Sequence, residues 1–523
     1  MGWYLCYFMH RHLDFRVAEF TALAELAGCG DTLQWRKPHG DAEHSPLWHV
    51  WLPSDAHAEE IMRRSILTKA LIELWGEGED VAALKSAIDA YPDERKAPFL
   101  AADRTFKVEI EDFGKSAHGT REDNWSPIVH RIDALKPSVE FLGRARMKNP
   151  DNLFWSVEVA PDLDGKGLPG DIPSRVYFGR VVARCDRSCI AKYDLTRRRY
   201  LGPTSMDVEM ALIMCNMIHA RPGGVVWDPF CGTGSILVAA AHFGAMTLGT
   251  DIDIRVIRWG KKDKRTGEPV DVWTNFEDYG LPPPVGLVRM DLHKNSWAGM
   301  ERVEGTLQGV VGDPPYGVRA GGRKSGGRKR LPDGTVAAVP EAHKADHIPS
   351  TVPYPFSECM DDLLDGAARM LRVGGRLAFF LPAAASAEDA ASAGADEVPS
   401  HPAMELRASS MQLLSTRWGR RLVTFEKTRA YDVEAAAEAR RALAEAREAG
   451  GGMEDLLQRM RETVYHGERQ KKKRAGGAGG ERNADAADEP GAGEAVGAAH
   501  RAHSASGEKM APAKRGGGRA KLV

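Results

Sequence analysis

At residues 313–316 the chain reads Asp313-Pro314-Pro315-Tyr316, directly after the short apolar run Gly309-Val310-Val311-Gly312. Two consecutive prolines lock the backbone, so a carboxylate and a neighbouring carbonyl can face a target in one defined geometry. The chemistry this suits is alkylation of a planar exocyclic amine. Such an amine is a poor nucleophile because its lone pair is delocalised into the ring, so catalysis must position it and stabilise developing positive charge. The Asp313 carboxylate and the Pro314 carbonyl can accept its two N–H bonds, and Asp313 can take the released proton. Tyr316 offers a ring on which an extruded base would stack, worth on the order of 1–3 kcal/mol, with Pro315 in the same substrate-facing turn. Arg319, Arg323, Lys324, Arg328, Lys329 and Arg330 follow, interleaved with glycines. As a group they suit phosphate contacts, although each taken singly is equally a solvated surface residue.

A second constellation lies upstream. Val225-Val226-Trp227-Asp228-Pro229-Phe230-Cys231-Gly232-Thr233-Gly234-Ser235 sets a Gly-x-Gly turn between an apolar strand and an apolar helix. Glycines there let a ligand approach the backbone over a helix N-terminus. The next strand ends at Thr250-Asp251-Ile252-Asp253, where an acid can accept from both ribose hydroxyls. Asp251 ends that strand and is the first choice and Asp253 the second, with helix capping as the competing role for either. A third strand over 286–290 delivers Asp291 to the same edge, within reach of an adenine amino group, or else as a plain loop acid. No third glycine stands where nicotinamide-binding turns carry one; the position is Leu237.

The elements needed to hold these residues are legible as a rhythm. From about residue 193 helix and strand alternate: helix 205–220, strand 225–228, helix 235–243, strand 246–251, helix 357–371 and strands 376–382 and 417–427. That spacing predicts a parallel, doubly wound α/β sheet. Thr204 or Ser205 could cap the first of these helices. Residues 1–190 read as α+β, with strands over 3–8, 47–52, 105–110, 153–159 and 175–183 and helices over 16–27 and 59–74. An Ala- and Glu-rich stretch over 433–460 reads as a solvated helix, and residues 467–523 lack the apolar residues to bury a core and are expected to be disordered.

Bulk composition narrows the class. Lys and Arg number 71 against 73 Asp and Glu, so the whole molecule lacks the basic signature of a nucleic-acid coat and any nucleic-acid surface must be local. No apolar run is long enough to span a bilayer, and no basic stretch precedes the apolar start. Seven cysteines, odd in number and scattered without Cys-x-x-Cys spacing, predict a reducing compartment and no zinc held by the chain itself. The cytoplasm is therefore expected. The last stretch carries twelve basic and seven acidic residues, net +5, and its run Lys471-Lys472-Lys473-Arg474 could act as a nuclear address or a loose RNA tether.

The order and spacing of the two constellations resemble class I methyltransferases over about residues 193–430, and that resemblance implies S-adenosyl-L-methionine as cofactor. The pattern Asp-Pro-Pro-Tyr resembles the motif of amino-group methyltransferases. With Lys192-Tyr193-Asp194-Leu195-Thr196-Arg197-Arg198-Arg199-Tyr200-Leu201-Gly202-Pro203-Thr204-Ser205-Met206 added, the chain up to about residue 430 is similar to the catalytic subunits that methylate guanosine N2 at position 10 of tRNA. The resemblance implies a ferredoxin-like region over 1–60, a THUMP RNA-binding domain over 61–190 and a methyltransferase domain over 191–431; the helical extension over 432–466 and the tail lie outside it. It implies tRNA as substrate and a small zinc-binding activator subunit as partner. By match, Asp228, Phe230, Gly232, Gly234, Asp251, Asp253 and Asp291 would line the cofactor pocket and Thr204 and Ser205 would approach it. The tetrapeptide chemistry alone equally fits adenine-N6 or cytosine-N4 methylation of DNA, and a non-catalytic RNA-binding subunit would keep the fold but damage these motifs.

Overall fold

Two seven-stranded sheets organise the computed structural model, which describes residues 2–37, 45–113, 126–159, 174–294, 303–316, 321–326, 350–385, 398–415, 418–448 and 457–458. Residues 1–469 form one compact unit. The segment from 470 onward lies outside the described residues, as do Arg319, Arg328, Lys329 and Arg330.

The first sheet is built from β1 (Gly2–Phe8), β2 (Gln34–Arg36), β3 (Leu47–Leu52), β4 (Thr68–Gly78), β5 (Phe106–Phe113), β6 (Asn152–Val159) and β7 (Arg175–Arg184) in the order β2-β3-β1-β4-β7-β6-β5. β1 is apolar throughout because both of its faces are covered. Tyr4, Cys6 and Phe8 pack beneath the helices Arg16–Leu26 and Asp55–Met62. Leu5 and Tyr7 pack on the other face with Ile72, Trp155 and Tyr177. Because β1 hydrogen-bonds to both β3 and β4, residues on either side of position 60 share one sheet.

One expectation for this region fails. The helix expected over 59–74 ends at Met62, and the rest of that stretch enters strand β4. Ser65 breaks the run, its hydroxyl accepting from the Thr68 N–H at 3.0 Å. Within this stretch Ile66, Leu67, Ala70, Leu71 and Ile72 are buried, with Leu71 and Ile72 in cores on opposite faces of the sheet, and a strand buried on both faces carries the same dense apolar pattern as a buried helix.

The second sheet contains β8 (Val225–Asp228), β9 (Met246–Asp251), β10 (Gly286–Arg289), β11 (Leu307–Gly312), β12 (Leu371–Ala384), β13 (Met404–Leu413) and β14 (Trp418–Lys427), ordered β10-β9-β8-β11-β12-β14-β13. The first five are parallel, and β14 runs antiparallel to both its neighbours. Helices Val208–Met217 and Ser235–His242 cover one face and Phe356–Met370 the other. The chain leaves β8 towards β9 on one side and returns to pair β11 on the other. Asp228 and Asp313 therefore come out at the point where strand order reverses, the crevice in which such sheets bind ligands. The expected solvated helix spans Val433–Glu448, and its Arg440 is paired with Asp362.

The two sheets are joined through a polar knot inside a shared core. Glu19 is fully buried and accepts from the Ile66 and Leu67 N–H groups (3.1 and 2.8 Å), the Ser65 hydroxyl (3.4 Å) and the Asn216 amide (2.8 Å). Arg64 donates to Asn216 and to the Ala220 carbonyl while lying over the Phe243 ring at 4.0 Å. Nearby, Arg376 on β12 bridges Glu25 and Glu426. Among the described residues no helix is long and apolar enough to cross a membrane, and all seven cysteines are free thiols.

Candidate active site

The glycine turn after β8 is stitched onto the end of β9. Cys231 N–H donates to the Thr250 carbonyl and Gly232 N–H to the Asp251 carboxylate, each at 3.0 Å. Gly232 and Gly234 have φ of 49° and 82°, a left-handed backbone that side chains rarely adopt. Gly234 caps the helix Ser235–His242, so the turn presents a helix N-terminus. A Cβ placed on Gly232 would meet nothing nearer than the Phe230 carbonyl at 4.0 Å, so the space over the turn is open to a ligand. These features fit the polar end of an adenosyl cofactor.

The predicted cofactor residues divide by what they already hold. Asp251 accepts from the Gly232 and Asp253 N–H groups and sits at the turn itself. Asp253 is a worse candidate for ribose: Arg255 grips both of its oxygens, at 2.7–3.1 Å, and holds its carboxyl below the usual range. Asp291 is buried and accepts from His293 N–H (3.1 Å) and Ser325 N–H (2.7 Å), which ties β10 to the hairpin Arg323–Ser325/Thr351–Pro353. Ser205 bonds Thr233 of the glycine turn at 2.9 Å, while Thr204 is exposed. Neither caps the following helix, which starts later than expected, at Val208, with Asp207 accepting from Met210 N–H. Phe230 N–H donates to Asp228, fixing that buried carboxylate at the switch point.

Asp313 leaves the end of β11 beside Asp228. Gly312 is what permits this approach. A Cβ there would lie 3.2 Å from the Phe230 ring and 3.6 Å from Asp228 Oδ1, so a larger residue would push the strand ends apart. Pro314 is buried and Pro315 partly exposed. The Tyr316 hydroxyl donates to Asp313 and its ring meets Phe356 edge-on at 6.1 Å. The expected stacking platform is thus also bonded to Asp313, the candidate proton acceptor.

At Asp228, Asp251 and Asp313 burial drives the carboxyl upward. Asp228 is pushed well above the ordinary carboxylate range by burial, the Phe230 N–H offsetting part of the rise and Asp251 and Asp313 adding to it. Asp251 is raised by burial against the backbone N–H bonds it accepts. Asp313 is raised by burial, with Arg420 and Tyr316 drawing it back. A site that brings these acids together with few cationic partners among the described residues suits a positively charged ligand, which a sulfonium is.

The basic residues after the tetrapeptide separate in the same way. Arg323 donates to Thr351 on its own hairpin. Lys324 is held by both oxygens of Glu358 at 2.6 Å, which fits its partial burial and takes it away from a free phosphate-binding surface. Glu358 gathers with His293 and Asp362 closely enough to suggest a metal set. Lys324, Arg440 and the Tyr354 hydroxyl already occupy those acids, however. Sequence reasoning missed Arg420 altogether: it lies 107 residues from Asp313 on an edge-proximal strand and carries no motif.

Strand order, glycine turn and Asp-Pro-Pro-Tyr at the switch point together define a class I methyltransferase of the amino-group type. A family model described as "RMKL-like, methyltransferase domain" matches residues 196–269, and one described as "Tmrp11 THUMP N-terminal domain" matches residues 3–187. The tRNA (guanine(10)-N(2))-methyltransferase TRMT11 of Mus musculus is 34% identical over 436 residues, covering 82% of this chain and 89% of its own. That of Homo sapiens is 34% identical over 438 residues with the same coverage. The Saccharomyces cerevisiae enzyme is 33% identical over 434 residues, covering 81% and 92%. The chain belongs to the tRNA (guanine(10)-N2)-methyltransferase family.

Proposed function

We propose that this protein transfers a methyl group from S-adenosyl-L-methionine to the exocyclic N2 of guanosine at position 10 of tRNA. The observation that carries the reading is Asp313 at the end of β11, brought beside Asp228 at the sheet's switch point and next to the open glycine turn. The cofactor would lie over Gly232 and Gly234 with its ribose towards Asp251 and its adenine towards Asp291, and it supplies an electrophilic methyl on a cationic sulfur.

The chain's own residues do the rest. Asp313 carboxylate and Pro314 carbonyl accept the two N2–H bonds and localise the nitrogen lone pair towards the methyl. As the N–C bond forms and the C–S bond breaks, the N2 proton passes to Asp313. Asp228 and Asp251 hold negative charge beside the cationic cofactor. With Lys324 occupied by Glu358, phosphate contact falls to Arg319, Arg323, Arg328, Lys329 and Arg330. The N-terminal THUMP region would bind the tRNA, and a small zinc-binding activator subunit would complete the enzyme.

Mass spectrometry of tRNA nucleosides after incubation with cofactor, with and without that activator, tests base, position and partner together. N2-methylguanosine at position 10 is the expected product. Methyl incorporation confined to DNA would replace this reading with a DNA amino-methyltransferase.

A further inference from the structure

Arg420 reaches Asp313 from β14, where it stands opposite Pro382 on β12 and Gln412 on β13. Its guanidinium lies 3.8 Å over the Phe380 ring. Nε donates to the Gln412 side-chain oxygen at 2.7 Å and Nη2 points to the Met206 sulfur at 3.7 Å. These contacts orient the planar group from β12, β13 and the segment ahead of the helix Val208–Met217. They leave Nη1 directed at Asp313, 3.4 and 3.5 Å from its two oxygens. The side chain is only 14% exposed, which is wrong for a residue gathering phosphates from solvent.

We propose that Arg420 is a positioning residue for methyl transfer, holding the Asp313 carboxylate charged and aimed so that it can accept the N–H of the incoming amine. The inference rests on the function proposed above and deepens it. Its geometry suits the task. A tight charge-assisted pair closes to about 2.7–2.9 Å; at 3.4 and 3.5 Å Arg420's bonds to the two Asp313 oxygens are long, so they lend Asp313 its field while yielding to the amine's N–H. An ionised carboxylate has about four such sites, of which the Tyr316 hydroxyl takes one. The charged and titratable groups facing Asp313 are Tyr316 from its own turn, Asp228 from β8 and Arg420 from β14. Among the described residues Arg420 is the cation of that set, so its removal takes away the positive charge that these groups set against Asp228. Lysine keeps the charge but cannot lie flat on Phe380 while donating sideways to Gln412.

The experiment uses the full-length protein with its activator and compares wild type, Arg420→Gln and Arg420→Lys in tRNA methylation from about pH 5.5 to 9. Cofactor binding by calorimetry establishes that each variant is folded. Arg420→Gln is expected to lower kcat by about tenfold or more, with KM for tRNA within about twofold. It should also shift the acid limb of the kcat profile to higher pH by about one unit, since Asp313 would then protonate sooner. Arg420→Lys should return the limb towards its wild-type position without recovering full kcat. In an Asp313→Asn background, Arg420→Gln should cost at most about twofold more.

A raised KM with unchanged kcat, an acid limb that stays in place, or an equal loss in both backgrounds would overturn the proposal. If Arg420→Gln fails to bind cofactor, Arg420→Lys decides, and undiminished kcat in that variant rejects the role. Absence of tRNA methylation by the wild type would count against the proposed function, and the variants' effect on Asp313 would then be read from whichever amine substrate the enzyme accepts.

Discussion

Two clusters of acids, one at the junction of the two sheets and one at the active-site edge, are treated in opposite ways. At the junction of the two sheets, Glu19 is surrounded by four groups that donate to it, and the Glu25–Arg376–Glu426 bridge matches acid to cation. Burial raises Glu19, and those hydrogen bonds draw it back. For Glu25 burial is outweighed by His219 and Arg376, and its carboxyl is held low. At the active-site edge, Asp228 receives the Phe230 N–H and otherwise faces Asp251 and Asp313. The junction is satisfied within the chain, which makes it a stable joint. The site keeps unbalanced negative charge, a cost in the free protein that a cationic cofactor and a polarised amine relieve.

That contrast can be broken or sharpened by experiment. The largest effect is expected at the site: Asp313→Ala should lower kcat on the order of 10³-fold while leaving cofactor and tRNA affinities within a few-fold. Retained turnover, measured by single-turnover methyl transfer, would remove Asp313 from the mechanism. At the junction, Glu19→Ala strands the Ile66 and Leu67 N–H groups and the Asn216 amide. It should cost about 3 kcal/mol of stability in denaturant unfolding, with little effect on turnover of the folded fraction. A loss of activity without a loss of stability would mean that the joint takes part in catalysis.

The smallest effect concerns pH. Because burial raises Asp228, Asp251 and Asp313, they lose charge on acidification sooner than ordinary carboxylates, and a cationic ligand loses its counter-charges with them. S-adenosylmethionine affinity should therefore weaken by about tenfold as pH falls from about 8 to about 5.5. Its binding should release protons in calorimetry, since the cation pulls these acids back towards ionisation. S-adenosylhomocysteine, with a neutral sulfur, should show a flatter profile. Equal slopes for the two ligands would show that the site does not sense the sulfonium charge.

Much of the architecture could be read without coordinates. β8 and β9 begin and end where the residue pattern placed them, and the Gly-x-Gly turn lies between β8 and its helix as expected. These features are local: a strand's apolar run, a glycine's positive φ and a proline pair act within a few residues. The failures have the opposite character. Of the helix expected over 59–74 only 59–62 is helical and 68–74 is strand, because burial on two faces erases periodicity. Lys324 carried the chemistry of its expected role, but its charge is held by Glu358, 34 residues along the chain. Arg420 could not be found at all, since nothing near it in the chain distinguishes it from Arg421.

By itself, then, the sequence determined a glycine turn suited to an adenosyl group, a sheet to carry it and a carboxylate followed by two prolines, a pattern suited to work on an amine. The tertiary structure decided which acids remain available and which cation stands over Asp313. The reason is register. Strand order sets Asp313 beside Asp228, and the pairing of β14 with β12 and β13 sets Arg420 against Phe380 and Gln412. A shift of one residue in that pairing would turn Arg420 to the opposite face. Asp313-Pro314-Pro315-Tyr316 would keep its chemistry and lose the guanidinium over its carboxylate.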